Sequence, residues 1–152
     1  MLTVIEKVIF LQNVDVFSEV PSEHLAYLAA IAEEVAFDED EVIYREQDLP
    51  DALYLVLDGS VRLHRDTEEI TNASAREAFG SWALFDNEPR VVTATALEET
   101  RLLRVDREEF IDLLADHVQI TEGVLKAMAG RLRGLIGRVG VGGQSNPGRG
   151  NS

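Results

Sequence analysis

Arg90 is the residue whose type and setting most clearly offer chemistry. It follows Pro89 and closes the cassette-like run FGSWALFDNEPR, which begins at Phe79 and continues as VVTATA to Ala96. A guanidinium is a permanently charged fork of N–H donors, well matched to a phosphate or carboxylate. A short helical turn after Gly80 would aim backbone N–H groups at the same anion, and a residue without Cβ lets that anion come close. The chemistry on offer is anion capture. The competing reading is a surface cation paired with Asp86 or Glu88.

No other constellation rivals this one. The chain has no cysteine, hence no disulfide framework, thiolate nucleophile or thiolate metal site. His24, His64 and His117 are too scattered for a metal set, and His64, alternating with Leu63, is expected to face solvent. The acidic run at 38–41 lacks the alternating ligands and central glycine of a calcium loop and reads as a solvated turn. No strand–turn–helix serine motif or paired general base is present. No catalytic residue, metal ligand or cofactor is therefore assigned, and the chain is not expected to be an enzyme.

The net charge of -14 is unevenly placed: residues 1–100 carry 22 acids and 6 bases, and residues 101–152 carry 6 acids and 8 bases. An acidic body disfavours nucleic acid, whose binding is driven by neutralising phosphates. Any anionic ligand must be caught by a local device, not by a general field. No window approaches the ~20 apolar residues of a membrane span, so no membrane insertion is expected. The N-terminal stretch MLTVIEKVIFLQNV has no signal-peptide architecture. A cytoplasmic location fits these features.

The elements that must position Arg90 follow from periodicity. Residues 4–13 read as a short helix with Val4, Ile5, Val8 and Ile9 on one face. PSEHLAYLAAIAEEV reads as a second helix, with Pro21 in its first turn and Leu25, Leu28, Ala29 and Ala32 at helical spacing. From Val35 to Val105 the period becomes two, giving about six to eight short strands separated by turns such as Asp58-Gly59 and Asp66-Thr67. Helical pattern returns at Asp106, a candidate N-cap with Glu109 three positions on, and Phe110, Leu113 and Leu114 facing inward. A last helix is expected from about Thr121 to Val139. The expected architecture is mainly β with flanking helices: a helical lead-in (1–34), an antiparallel jelly-roll-like β-roll (35–105) and two C-terminal helices (106–139). The glycine-rich remainder, 140–152, is expected to be disordered.

In this order of elements, DALYLVLDGSVRLHR and FGSWALFDNEPRVVTATA resemble the cyclic-nucleotide-binding domain family over about residues 10–139. Gly59 looks like the family's turn glycine, and Phe79, Gly80, Ala83, Leu84, Pro89 and Arg90 match its phosphate-binding cassette. The resemblance implies a phosphate held by Arg90, Gly80 and the backbone amides of Ala83 and Val91. It also implies a last helix that covers the base and forms a dimer interface, with the apolar Leu135 and Ile136 as the candidate base lid.

The chain departs from the family pattern at several positions. Ser81 stands where the family has a glutamate that accepts a hydrogen bond from the ribose 2′-hydroxyl. Losing a charge-assisted bond of ~1.5–3 kcal/mol weakens binding roughly 10- to 150-fold. Gln47 and Arg76 stand where turn glycines are common, so the loop entering the cassette is expected to take a different shape. Trp82 replaces a medium aliphatic residue and reads as core packing behind the cassette, with stacking on a base as the alternative. Val91 replaces a threonine that often accompanies cGMP preference, which leaves cAMP as the candidate ligand, at low or absent affinity.

Leu125, Met128, Leu132, Leu135 and Val139, spaced 3, 4, 3, 4, form a coiled-coil-like seam for a homodimer, unless they dock on the chain's own β-roll. Gly130, Gly134 and Gly137 lower helix propensity beside that seam. The expectation is a non-enzymatic cyclic-nucleotide-type sensor reporting to an effector, with a docking or dimerisation module without nucleotide as the alternative. No helix-turn-helix follows the last helix. The N-terminal stretch resembles the linker helix that joins such domains to a parent polypeptide, so Met1 reads as a candidate internal residue of a longer protein.

Overall fold

The computed structural model describes the backbone of residues 1–145 and the side chains of residues 1–138. Two short helices lead in, α1 (Val4–Leu11) and α2 (Ser22–Ile31), joined through a 3-10 turn at Asp15–Phe17. Eight strands follow: β1 (Glu33–Phe37), β2 (Val42–Tyr44), β3 (Ala52–Asp58), β4 (Val61–Arg65), β5 (Glu68–Ala73), β6 (Ala78–Phe79), β7 (Thr93–Ala96) and β8 (Thr100–Asp106). A second 3-10 turn, Ser81–Leu84, lies between β6 and β7, and α3 (Arg107–Asp116) and α4 (Val118–Ser145) close the described chain. The strands form two four-stranded antiparallel sheets, β1-β8-β3-β6 and β2-β7-β4-β5, so the expected β-roll between helical ends is present.

The core has two parts. Leu53, Leu55, Leu103 and Val105, alternating along β3 and β8, pack with Phe17, Leu25, Leu28, Phe110 and Ile120 of the helical segments. The opposite faces of the same strands, Tyr54, Val56 and Leu102, pack with Tyr44, Phe79 and Ala94 inside the roll. Because β3 is buried on both faces, its sequence is a continuous apolar run instead of an alternating one. Gly59 turns β3 into β4 at φ 102°, and a Cβ there would lie 2.4 Å from Thr100 Oγ1, so the turn accepts no side chain.

Several local expectations are corrected. In α1 the packed residues are Leu11 and, in part, Val8 and Phe10, while Val4, Ile5 and Ile9 are exposed. Of the anticipated face only Val8 packs, in part, against the core, and its other three residues face outward. Pro21 caps α2 from outside and is not within its first turn. His64 is buried, its Nδ1 2.8 Å from the Asp66 carbonyl oxygen and its Nε2 2.9 Å from Thr95 Oγ1. The β4–β5 register shifts between Leu63 and His64, which breaks the alternation that had placed it in solvent. Asp106 does cap α3, accepting from the Glu109 amide at 3.0 Å.

α4 starts before the expected Thr121 and runs to Ser145, so residues 140–145 are helical and not part of a disordered tail. Extending an established helix costs far less than starting one, which lets it run past its glycines. The rest of that tail, 146–152, lies outside the described residues, as does the side chain of Val139. α4 docks through Ile120, Val124 and Ala127. At Gly123 a Cβ would stand 2.8 Å from Val20 Cγ2 and 2.9 Å from the Glu19 carbonyl oxygen, which fixes a close crossing there. No helix among the described residues is long and apolar enough to cross a membrane.

Candidate functional site

Gly80 has φ 72° and opens the 3-10 turn Ser81–Leu84, which hangs Ala83 and Leu84 into the core and leaves Trp82 outward. The Ala83 amide donates to the Gly80 carbonyl oxygen at 3.1 Å, closing the turn. It is therefore engaged inside the turn, contrary to the free donor expected of it. Short 3-10 turns satisfy their own amides this way.

Arg90 is not a surface cation. It is 6% exposed, and its partner is neither Asp86 nor Glu88. Its Nη2 donates to Asp51 Oδ1 at 3.0 Å and to the Ala52 carbonyl oxygen at 2.8 Å, and Nη1 makes a longer bond of 3.4 Å to the Gly80 carbonyl oxygen. The guanidinium lies 3.9 Å over the Tyr44 ring. Burial pushes the Tyr44 phenol up to about 12, so it stays neutral and presents a ring face without competing charge. The second oxygen of Asp51 accepts from Arg104 at 3.3 Å, which ties the site to β8. Nε of Arg90 is buried with no hydrogen-bond partner among the described residues. An unpaired buried donor is costly unless an acceptor arrives, and here it sits on an arginine built into the cassette.

The backbone of Arg90 is clamped as firmly as its side chain. Its amide donates to the Asp48 carbonyl oxygen, and its carbonyl oxygen accepts from the Gln47 amide, both at 2.8 Å. That exchange requires Gln47 at φ 76°, and Arg76 likewise stands at φ 75° before β6. Both positions thus hold the left-handed backbone that glycine favours, and the expected change of loop shape does not occur. The tertiary pairing overrides the local cost of a side chain there. Gln47→Gly is accordingly expected to stabilise the protein by about 0.5–1 kcal/mol, read as a higher midpoint in urea unfolding. A lower midpoint would mean that flexibility of the unfolded glycine outweighs the strain relieved.

Two clefts meet at this turn. One, of about 280 Å³, is lined by Tyr44, Ala83, Asp86, Glu88, Arg90 and Val91, among others. The other, of about 470 Å³, includes Ser81, Arg76, Glu77, Asp15 and Arg131 in its walls. Leu63, Gly80 and Trp82 line both. The structure thus brings Gly80, Ala83, Arg90 and Val91 together, with Ser81 in the adjoining wall. It does not bring in Leu135 and Ile136, which are exposed and line neither cleft. The residue that α4 contributes is Arg131, since α4 begins earlier and crosses at Gly123. Trp82, expected in the core, is 60% exposed because the 3-10 turn points it away from Leu84. No group of histidine, aspartate or glutamate among the described residues could hold a metal ion.

Sequence reasoning missed Asp51, Tyr44 and Arg131. Residues 34–117, more than half of the chain, match the family described as the cyclic nucleotide-binding domain. The chain belongs to that family. The cyclic nucleotide-binding domain is 28% identical over 128 residues to the CRP-like cAMP-activated global transcriptional regulator of Mycobacterium tuberculosis, a match of 81% of this chain and 57% of that protein. It is 32% identical over 117 residues to a lysophospholipase of Neurospora crassa, covering 74% of this chain and 8% of the enzyme. The chain therefore spans little more than half the length of the first relative and a small part of the second. Among solved structures, the N-terminal domain of a transcriptional regulator from Streptomyces coelicolor superposes with a TM-score of 0.79 at 30% identity, covering 86% of this chain and 94% of that one.

Proposed function

We propose that this cyclic nucleotide-binding domain is a non-enzymatic sensor whose ligand is a cyclic nucleotide, cAMP first, held at reduced affinity because Ser81 replaces a carboxylate. The observation that carries this reading is the buried Arg90, a residue of the smaller cleft, pre-positioned by Asp51, Ala52 and Tyr44 and retaining a buried, unpartnered Nε. A guanidinium held by other groups before the ligand arrives loses little freedom on binding. The cAMP-activated regulator among its relatives supports the choice of ligand, and the lysophospholipase supports the idea of a module serving a larger polypeptide. Calorimetric titration with cAMP, cGMP and cyclic dinucleotides tests the reading: saturable cAMP binding, weaker for cGMP, is expected. Absence of binding by all of them would overturn it.

The second reading, a docking or dimerisation unit, is favoured by one feature of α4. Leu125, Leu132 and Leu135 are exposed, and only Met128 of the described seam packs partly on the chain's own core. A glycine-bearing helix with apolar residues facing water gains stability when a second helix covers it. The two readings coincide if a second copy is the cover. Leu132→Glu is expected to weaken self-association at least about tenfold without altering the β-roll, seen by sedimentation together with circular dichroism. A parent protein already monomeric at high concentration would exclude the dimer.

A further inference from the structure

We propose that the outward face of α1 is a docking surface for a second copy of this chain: it packs on the far half of α4 in the partner, and the contact repeats across a two-fold axis. This rests on the reading of α4 as a dimerisation element and names the surface that meets it. Val4, Ile5 and Ile9 share the outward face of α1, and each is at least half exposed. Leu132, Leu135 and Ile136 form a second stripe on α4, exposed to a similar degree. Every described side chain of α4 beyond Met128 is exposed, so this half of the helix is not buried by its own chain. Ile5 to Ile9 and Leu132 to Ile136 each span about 6 Å of helix, so the stripes match in length.

Charge decides what meets α4. Residues 125–139 contain Lys126, Arg131, Arg133 and Arg138 and no acid. Pairing α4 with α4 would gather these cations. In a parallel pair Arg131, flanking the seam, faces an isoleucine at 136; in an antiparallel pair the arginine flanks meet each other. Neither arrangement supplies the opposite charges that fix helix partners. The lead-in is the complement, since residues 1–34 carry six acids and one base. That base is withdrawn from the face of α1, because Lys7 Nζ donates to the Ala32 carbonyl oxygen at 2.7 Å. Glu6 remains at the edge of the α1 stripe, and a hydrogen bond from the Thr3 amide holds its carboxyl below the usual range, so it stays ionised. Arg133 stands in the corresponding place beside Leu132 and Ile136 and pairs with no carboxylate among the described residues. An apolar stripe edged by a carboxylate thus meets one edged by a guanidinium. The two-fold axis makes that contact twice, which moves the buried area toward the roughly 1,200 Å² of stable interfaces.

The chain has no cysteine, so introduced thiols report one contact at a time. Full-length Ile5→Cys and Leu132→Cys chains are mixed in equal amounts and mildly oxidised at a concentration where sedimentation shows a dimer. The expected product is a disulfide-linked pair with one chain of each kind, and little product from either variant alone. Strong linking of Leu132→Cys to itself would place α4 against α4 and overturn this pairing while leaving the dimer intact. Strong linking of Ile5→Cys to itself, or no linked product from a dimeric protein, would overturn it equally. A parent that stays monomeric removes the dimer and the pairing together. Ile5→Lys adds a cation where Arg133 must approach and is expected to weaken self-association roughly tenfold or more. Ile5 is exposed, so its replacement leaves the core untouched; unchanged association of Ile5→Lys would also count against the pairing.

Discussion

Arg90→Ala is expected to abolish ligand binding and to cost about 2–4 kcal/mol of folding stability, lowering the melting temperature by roughly 5–15 °C. The binding loss follows from removing the cation at the cassette. The stability loss follows from what Arg90 touches without any ligand: Asp51, the Ala52 carbonyl oxygen and the Tyr44 ring. A charged hydrogen bond contributes about 1.5–3 kcal/mol and a desolvated cation–π contact up to about 2, and relaxation of the exposed Asp51 carboxylate into water returns part of that. From sequence alone the same substitution looks almost neutral for stability, since an exposed cation contributes little. Burial reverses the expectation. Arg90→Lys keeps the charge but not the fork, and should recover less than half of the loss. Thermal unfolding of both variants decides the matter; a change under about 1 kcal/mol in Arg90→Ala would show that the network does not support the fold.

Ser81→Glu should act in the opposite direction, raising cAMP affinity roughly 10- to 150-fold by restoring an acceptor for the ribose 2′-hydroxyl. The new carboxylate would enter a cleft that already has Asp15 and Glu77 in its wall, but also Arg76 and Arg131. These charges balance in number, and repulsion between the added carboxylate and the ligand's anionic phosphate should place the gain in the lower half of that range. The effect should be selective: 2′-deoxy-cAMP should gain nothing. An equal gain for the deoxy compound, or none for cAMP, would mean that the wall at residue 81 does not face a ribose, and the docking role of α4 would become the leading account.

The roll was legible because its signals are local. Strand alternation, the Asp106 cap and the Gly59 turn each depend on neighbours in sequence, and the cassette is one continuous run. What was not legible depends on residues far apart along the chain. Asp51 and Arg90 meet only because β3 starts beside the cassette, and no spacing rule connects them. Gln47 and Arg76 seemed to forbid a left-handed backbone, yet pairing with Arg90 in one case and with Val56 in the other imposes it. The family resemblance implied a lid at Leu135 and Ile136, whereas α4, crossing closely at Gly123, brings Arg131 to the cleft. Where a sequence contradicts its own local preferences, as at Gln47, a long-range contact is the explanation to seek.

That crossing at Gly123 also gives α4 the proportions of a lever. From Gly123 to Ser145 the helix extends about 33 Å at 1.5 Å per residue. Arg131, in the wall of the larger cleft, lies about a third of the way along. Were α4 to pivot there as a rigid arm, a displacement of about 1 Å of the helix at Arg131 would become nearly threefold larger at its far end, about 3 Å. A small event at the cleft would thereby become a sideways swing large enough to change how the far end of α4 meets a neighbouring surface.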